Sequence, residues 1–99
     1  MRIEISDEAL EDLSQGFRFY EGQEAGLGSY FLDQLFSDID SLLVCAGIHP
    51  LTFLYHRSLA RRFPFAIYYS VEGELVRVHA VLDCRRKPSW IRKRLKEGS

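Results

Sequence analysis

Arg61-Arg62-Phe63-Pro64-Phe65-Ala66-Ile67-Tyr68-Tyr69 sets two arginines and a proline directly before an aromatic, β-branched run. Proline has no N–H to give to a ladder, so it is confined to strand starts, edges and turns. A strand is therefore expected from about Phe65, with a turn over Arg61–Pro64. Upstream, Phe53–Leu59 alternates apolar and polar residues and predicts one strand. Downstream, Leu75–Cys84 predicts another. Glu72-Gly73 between the last two has the form of a two-residue hairpin loop. With that loop Tyr69 would face Val76, Ile67 would face Val78 and Phe65 would face Ala80, an apolar face for covering helices. The other face would carry Tyr68 opposite Arg77 and Ala66 opposite His79, then Val81 and Asp83. Such a division suits an antiparallel sheet covered on one side only.

The helices precede the strands. Arg2–Ser6 alternates as a short strand, and Ser6 or Asp7 is a suitable N-cap, with Glu8, Glu11 and Asp12 following. A helix is expected from about Asp7 to Glu21, with Leu10, Leu13, Phe17 and Tyr20 on its buried stripe and Gly22 as its stop. Gly16 inside it costs about 1 kcal/mol relative to alanine. After a glycine-rich link a second helix is expected from near Ser29 to Gly47. Phe31, Leu35, Ile39, Leu42 and Ala46 form its stripe, widened by Leu32, Phe36 and Leu43, with Asp33, Asp38 and Asp40 on the polar side. The link is short enough to make the helices antiparallel neighbours on one face of the sheet. After Cys84 the chain turns basic, and Ser89 could cap a short helix with Trp90, Ile91 and Leu95 inward and the cations outward. Residues 97–99 are expected to fray. The class is α+β.

Ninety-nine residues make one domain, residues 1–99, able to bury about 60–65% of its unfolded surface. At 46% hydrophobic and 27% charged the composition is that of an ordinary globular protein. No run approaches the ~18 apolar residues of a membrane span, and the acidic N-terminus lacks an apolar signal core, so a cytoplasmic protein without membrane contact is expected. Cys45 and Cys84 sit at no metal or redox spacing and are expected as reduced, buried thiols. His49, His56 and His79 are likewise isolated and are expected at turns or the surface. No metal or cofactor is expected. Ser58, Ser70 and Asp83 lack the strained turn that a hydrolase triad needs.

The net charge of −1 conceals an asymmetry. Residues 1–54 hold two basic residues against ten acidic, net −8, whereas residues 55–99 hold eleven against four, net +7. The halves could neutralise one another, or the basic half could meet a polyanion or an acidic protein. Ten arginines against three lysines favour planar, bidentate recognition of carboxylate or phosphate. The candidate binding surface is Arg57, Arg61, Arg62, Tyr68, Arg77, Arg85, Arg86, Trp90 and Arg92, with Lys87, Lys93, Arg94 and His79 beside them.

The order of elements, together with Arg-Arg-Phe-Pro-Phe-Ala-Ile-Tyr-Tyr-Ser-Val-Glu-Gly (61–73) and Val-Leu-Asp-Cys-Arg-Arg-Lys-Pro-Ser-Trp (81–90), resembles the RelE/ParE superfamily of bacterial toxins, closest to the plasmid stabilisation proteins. The resemblance implies the toxin of a type II toxin–antitoxin pair, held inactive by an antitoxin with an acidic, amphipathic C-terminal segment. In the RelE branch it implies cleavage of mRNA on the ribosome, and in the ParE branch poisoning of DNA gyrase. Arg85 or Arg86 matches the arginine that the RelE branch carries after its last strand. Its middle-strand arginine falls at Ala66, and its C-terminal tyrosine falls in Trp90–Arg92, where none stands. Catalysis through a 2′-hydroxyl needs an acid, a base and cations on the phosphorane. The candidates for that role are Arg86, Arg85, Arg61 and His79, with His56 and Tyr68 as further acid–base groups in no recognised arrangement. The reading expected is a ParE-like toxin that binds a topoisomerase such as gyrase. Its alternatives are a RelE-like endonuclease and a non-toxic nucleic-acid-binding module.

Overall fold

In the computed structural model, residues 1–97 are described, and of the expected fraying segment Gly98 and Ser99 lie outside them. The chain runs β1 (Arg2–Ile5), α1 (Asp7–Gln23), α2 (Leu27–Asp40), α3 (Leu42–Cys45), β2 (Leu51–Thr52), β3 (Tyr55–Leu59), β4 (Phe65–Glu72), β5 (Leu75–Asp83), α4 (Pro88–Glu97). The strands form one sheet in the order β1-β5-β4-β3-β2, with β1 parallel to β5 and the other pairs antiparallel. The helix hairpin α1–α2 lies on one face, as the stripes predict, and β4 is central.

Ser6 caps α1: its Oγ accepts from Ala9 N–H at 3.1 Å and donates to the His79 carbonyl at 3.3 Å, tying the helix start to β5. Gly22 does not end α1, which continues to Gln23 before Glu24 turns extended. The start of α2 is fixed by Glu21 instead. Its carboxylate accepts from Gly26 and Gly28 N–H, each at 2.9 Å, and these bonds hold its pKa below the ordinary value. Two glycines set how closely the helices cross. A Cβ on Gly16 would stand 2.4 Å from the Phe31 ring, and one on Gly28 would stand 2.7 Å from the Phe17 carbonyl oxygen. Gly16 therefore weakens its own helix but leaves room for the outer end of the Phe31 ring.

That close approach shifts the buried stripe. Ala9, Leu13, Gly16 and Tyr20 are buried, Phe17 is half-buried and Leu10, expected inside, is 44% exposed. On the second helix Phe31, Leu35, Ile39 and Leu42 are buried as expected, whereas Phe36 and Leu43 face outward. The helix does not run unbroken to Gly47. Ser41 Oγ donates to the Asp38 carbonyl at 2.6 Å, diverting an acceptor from the helical ladder, and α3 restarts at Leu42.

The expected strand Phe53–Leu59 is present from Tyr55 on, and its first two residues, Phe53 and Leu54, with φ of 52° and 74°, are instead the turn that joins it to β2. Primed turns need such dihedrals and normally take asparagine or glycine, so two bulky residues here carry strain. The loop between β4 and β5 is Gly73-Glu74 rather than Glu72-Gly73, because Glu72 pairs with Leu75 and Val71 with Val76. The positive φ of Gly73, 61°, is what centres it there. A bulge at His79 then shifts the register again. Tyr69 pairs with Val78 but Tyr68 with Ala80, Ile67 with Val81, Ala66 with Leu82 and Phe65 with Asp83, and Ser70 takes the place opposite Arg77. One inserted residue reverses the faces of everything after it. Val81 accordingly joins the helix-side core, and Ala80 and Leu82 pass to the outer face.

That outer face is not open. Ala66, Tyr68, Ala80 and Leu82 form a second buried cluster under Ile91 and Leu95 of α4, so the sheet is covered on both sides at its centre. Pro88, not Ser89, opens α4, where its missing N–H is of no consequence, and Glu97 belongs to the helix. Trp90 lies at the rim, 39% exposed. Each fully buried aliphatic side chain of this kind contributes roughly 1.5–3 kcal/mol.

Candidate functional site

The C-terminal half presents its cations around α4 and the outer sheet face, but most are already engaged. Arg94, expected outward, turns in to Asp12 at 2.7 Å, with side-chain exposures of only 18% and 9%. Asp12 Oδ2 also accepts from Val81 N–H at 3.1 Å. Burial raises the Asp12 pKa, opposed by the Val81 hydrogen bond and by Arg94. Arg61 meets Asp38 twice, through its backbone N–H at 3.1 Å and its Nε at 3.8 Å. Asp38, expected on the polar side of α2, is thus a buried anchor for the turn before β4. Arg77 stands between Glu4 at 3.3 Å and Glu72 at 3.8 Å. Its Nε is buried and too far from Glu72 for a hydrogen bond. Three of these pairs, Asp12–Arg94, Asp38–Arg61 and Glu4–Arg77, join the acidic half of the sequence to the basic half, so much of the charge asymmetry is resolved within the fold.

Arg85 is held by Asp83 through Nε at 3.0 Å and NH2 at 2.7 Å, with the Arg85 N–H adding a third bond at 2.8 Å. These bonds, the Arg85 side chain first, hold the Asp83 carboxyl below its ordinary pKa. Arg85 also interacts with the Tyr20 hydroxyl of α1, which places it toward the helix layer. Of the four residues considered for catalysis, Arg61 and Arg85 therefore lean on α2 and α1. Arg86 lies over the Trp90 ring at 4.3 Å, and His79 sits on the outer side of β5. The four do not converge on one point.

The cations without a carboxylate partner are the more available ones. Arg57 Nε donates to the Tyr68 hydroxyl at 3.3 Å and its NH2 approaches Cys84 Sγ at 3.6 Å. Tyr68 is on the outer face as expected, yet only 2% exposed, because α4 covers it. Arg92 stacks over Phe53 at 5.0 Å. Among the described residues Arg62, Lys87 and Lys93 make no ion pair, and all three are exposed. Arg57, Arg86, Arg92, Lys87 and Lys93 leave a positive rim around α4 and the adjoining strand ends.

The histidines are less isolated than their spacing implies. His79 Nε2 and Ser70 Oγ are 2.8 Å apart, and the Tyr55 ring packs on the imidazole at 4.6 Å. Burial, and after it the charge of Arg77, lower the His79 pKa, so its imidazole is neutral near pH 7 and able to accept a proton. His49 Nδ1 meets the Tyr69 hydroxyl at 2.6 Å, Gly47 N–H donates to the same oxygen at 2.9 Å, and His56 stacks on the Tyr69 ring at 5.1 Å. Tyr69 is fully buried, and desolvation raises its pKa. This cluster closes the loop after α3 over the sheet. Sequence spacing hid it because its members come from three separate elements. Cys45 and Cys84 are free thiols and half-buried.

No helix among the described residues is long and apolar enough to cross a membrane. Among the described residues no group of three or more His, Cys, Asp or Glu side chains is arranged to hold a metal ion. No protein-family model matches the sequence, and no curated protein matches it significantly. Among solved structures the chain is similar to one from the chromosomal ParDE TA system of P. aeruginosa. The TM-score is 0.67 at 15% sequence identity, over 82% of this chain and 92% of that chain. The likeness shows the fold: an N-terminal strand, a helix hairpin on a mostly antiparallel sheet, and a short C-terminal helix.

Proposed function

We propose that this chain is the toxin of a type II toxin–antitoxin pair, of the ParE kind, acting in the cytoplasm by binding a topoisomerase such as DNA gyrase. An antitoxin protein would be its cellular partner. The fold likeness to the ParDE chain supports the toxin–antitoxin module. What favours binding over cleavage is α4. Ile91 and Leu95 fill the middle of the outer sheet face over Ala66, Tyr68, Ala80 and Leu82, where a scissile phosphate would otherwise lie against the strands. Arg61 and Arg85 are drawn into ion pairs with Asp38 and Asp83. The rim of Arg57, Arg86, Arg92, Lys87 and Lys93, with Arg62 and Trp90, remains to engage an acidic protein surface.

Expression of the chain alone in a bacterium tests the reading. Growth arrest with DNA breaks and an SOS response supports it. Codon-position-specific cuts in translated mRNA overturn it in favour of a RelE-like endonuclease. One observation favours that second reading, the neutral His79 held by Ser70 beside Arg77. His79→Ala and Arg86→Ala variants that keep full toxicity remove it.

A further inference from the structure

The longest stretch of the sequence without an aspartate, glutamate, lysine or arginine is residues 41–56, in a chain that is 27% charged. It forms α3, crosses the helix side of the sheet over Tyr69, and continues through β2 into β3. Along it Leu43 is 47% exposed, Val44 93%, Ile48 74% and Leu51 64%. We propose that this surface, from Leu43 to Leu51, is where a second copy of the chain packs, across a two-fold axis that sets the patch against itself. The proposal is independent of the toxin reading above.

Area, order and charge carry it. The four side chains together expose roughly 500 Å² of mostly apolar surface, each copy's half of the ~1,000 Å² that a specific interface must clear. The segment that displays them is fixed before any partner arrives. Gly47 N–H donates to the Tyr69 hydroxyl at 2.9 Å, and His49 Nδ1 lies 2.6 Å from the same oxygen, so Ile48 is held between two anchors. His56 Nδ1 donates to the His49 carbonyl at 2.7 Å, and Leu51 is paired with His56 in the ladder. Gly47 supplies the φ of 93° that lets the chain turn there. Association on such a segment costs little loop ordering. Charge then selects the occupant. A two-fold contact brings each group at its centre close to the same group on the other copy, so a charge there repels itself. This stretch has none. An acidic segment or a polyanion would find no cation in it, and a basic segment no carboxylate. The surface complements its own apolar copy, whereas the basic rim around α4 complements carboxylates.

The test is sedimentation equilibrium on the purified chain over a micromolar-to-millimolar dilution series. The wild type is expected to pass from one copy to two and stop there, since a two-fold contact closes. Association should not weaken as salt rises, because no ion pair carries the contact. Val44→Lys and Ile48→Lys each set a charge against its own copy and should raise the dissociation constant by about tenfold or more. Both positions face solvent in the single chain, so the variants are expected to keep the wild-type circular dichroism spectrum and melting curve. Phe19→Lys removes an apolar side chain on α1 that is 55% exposed, and should change the dissociation constant by less than about twofold. The proposal is overturned by a chain that stays single throughout the series, by growth beyond two copies, by association that weakens with salt, or by a dimer that both patch variants leave intact. Loss of the dimer in Phe19→Lys also overturns it. So does a single chain that binds neutral phosphatidylcholine vesicles and loses them with Val44→Lys, which would assign the surface to lipid.

Discussion

The two faces of the sheet are built on different terms. The helix face is a continuous apolar core in which Tyr20, Phe31, Phe63 and Phe65 pack ring on ring at centroid distances of 4.8 to 6.3 Å. It is joined to the rest of the molecule by a helix hairpin with glycines at its crossings. The outer face has a smaller core closed by one ten-residue helix, and its rim is made of arginines bound to carboxylates, rings and a tyrosine hydroxyl. The first face holds the fold by area. The second holds α4 with a few buried aliphatics and one enclosed ion pair, and keeps its charge where a partner can reach it.

Removing the ring that sits at the helix crossing should have the largest effect. Phe31→Ala is expected to lose about 3–5 kcal/mol in urea denaturation, since Gly16 and Gly28 leave the crossing no spare side chain with which to refill the void. A smaller loss would mean that the helices close up. Arg94→Ala should remove about 3 kcal/mol at neutral pH, because it strands the Asp12 carboxylate in a buried site. The sign with pH follows from the raised pKa of Asp12. Without Arg94 that pKa rises further, so the folded variant binds a proton that the unfolded chain does not. Stability is then lost as pH increases through the new value, and the gap to wild type should narrow on acidification. A gap that is constant with pH would place the effect in lost packing of the arginine stem.

Ser6→Ala, at the contact between α1 and the β5 bulge, should cost about 1 kcal/mol by thermal or chemical denaturation. The smallest effect belongs to His79. Its depressed pKa means that its contribution is present above the unfolded value near 6.5 and is lost as pH falls through the folded one. Wild type should therefore lose some stability on acidification in that range. His79→Gln should flatten this part of the profile, read as a pH series of unfolding midpoints.

The elements themselves were largely legible. Phe65 begins the central strand after Pro64, Ser6 caps the first helix, and Phe31, Leu35, Ile39 and Leu42 are the stripe that is buried. The differences have separate causes. Hydrophobic periodicity weights large residues and so selects Leu10, whereas the line of closest helix approach selects the small Ala9 and Gly16. Phe53-Leu54 lacks turn chemistry, so its alternation predicts strand where the β2–β3 turn lies; the positive φ values persist because the surrounding structure holds them. The candidate site was legible as a list of cations and not as an arrangement. Arg94 and Arg61 have carboxylate partners 82 and 23 residues away that no spacing announces, and Asp83 has both Arg85 and Arg86 within three residues, so spacing alone does not choose between them.

By itself the sequence determined the α+β order, the helix hairpin on one face, the central strand and the concentration of arginine in its C-terminal half. These follow from periodicity, capping and composition, which act over a few residues. Only the tertiary structure decided that the outer face is closed by α4, that the bulge at His79 exchanges the faces of β5, and which arginines remain outside a carboxylate pair. Each depends on a contact between residues distant in the chain, and a one-residue change of register or a single buried acid is enough to redirect it.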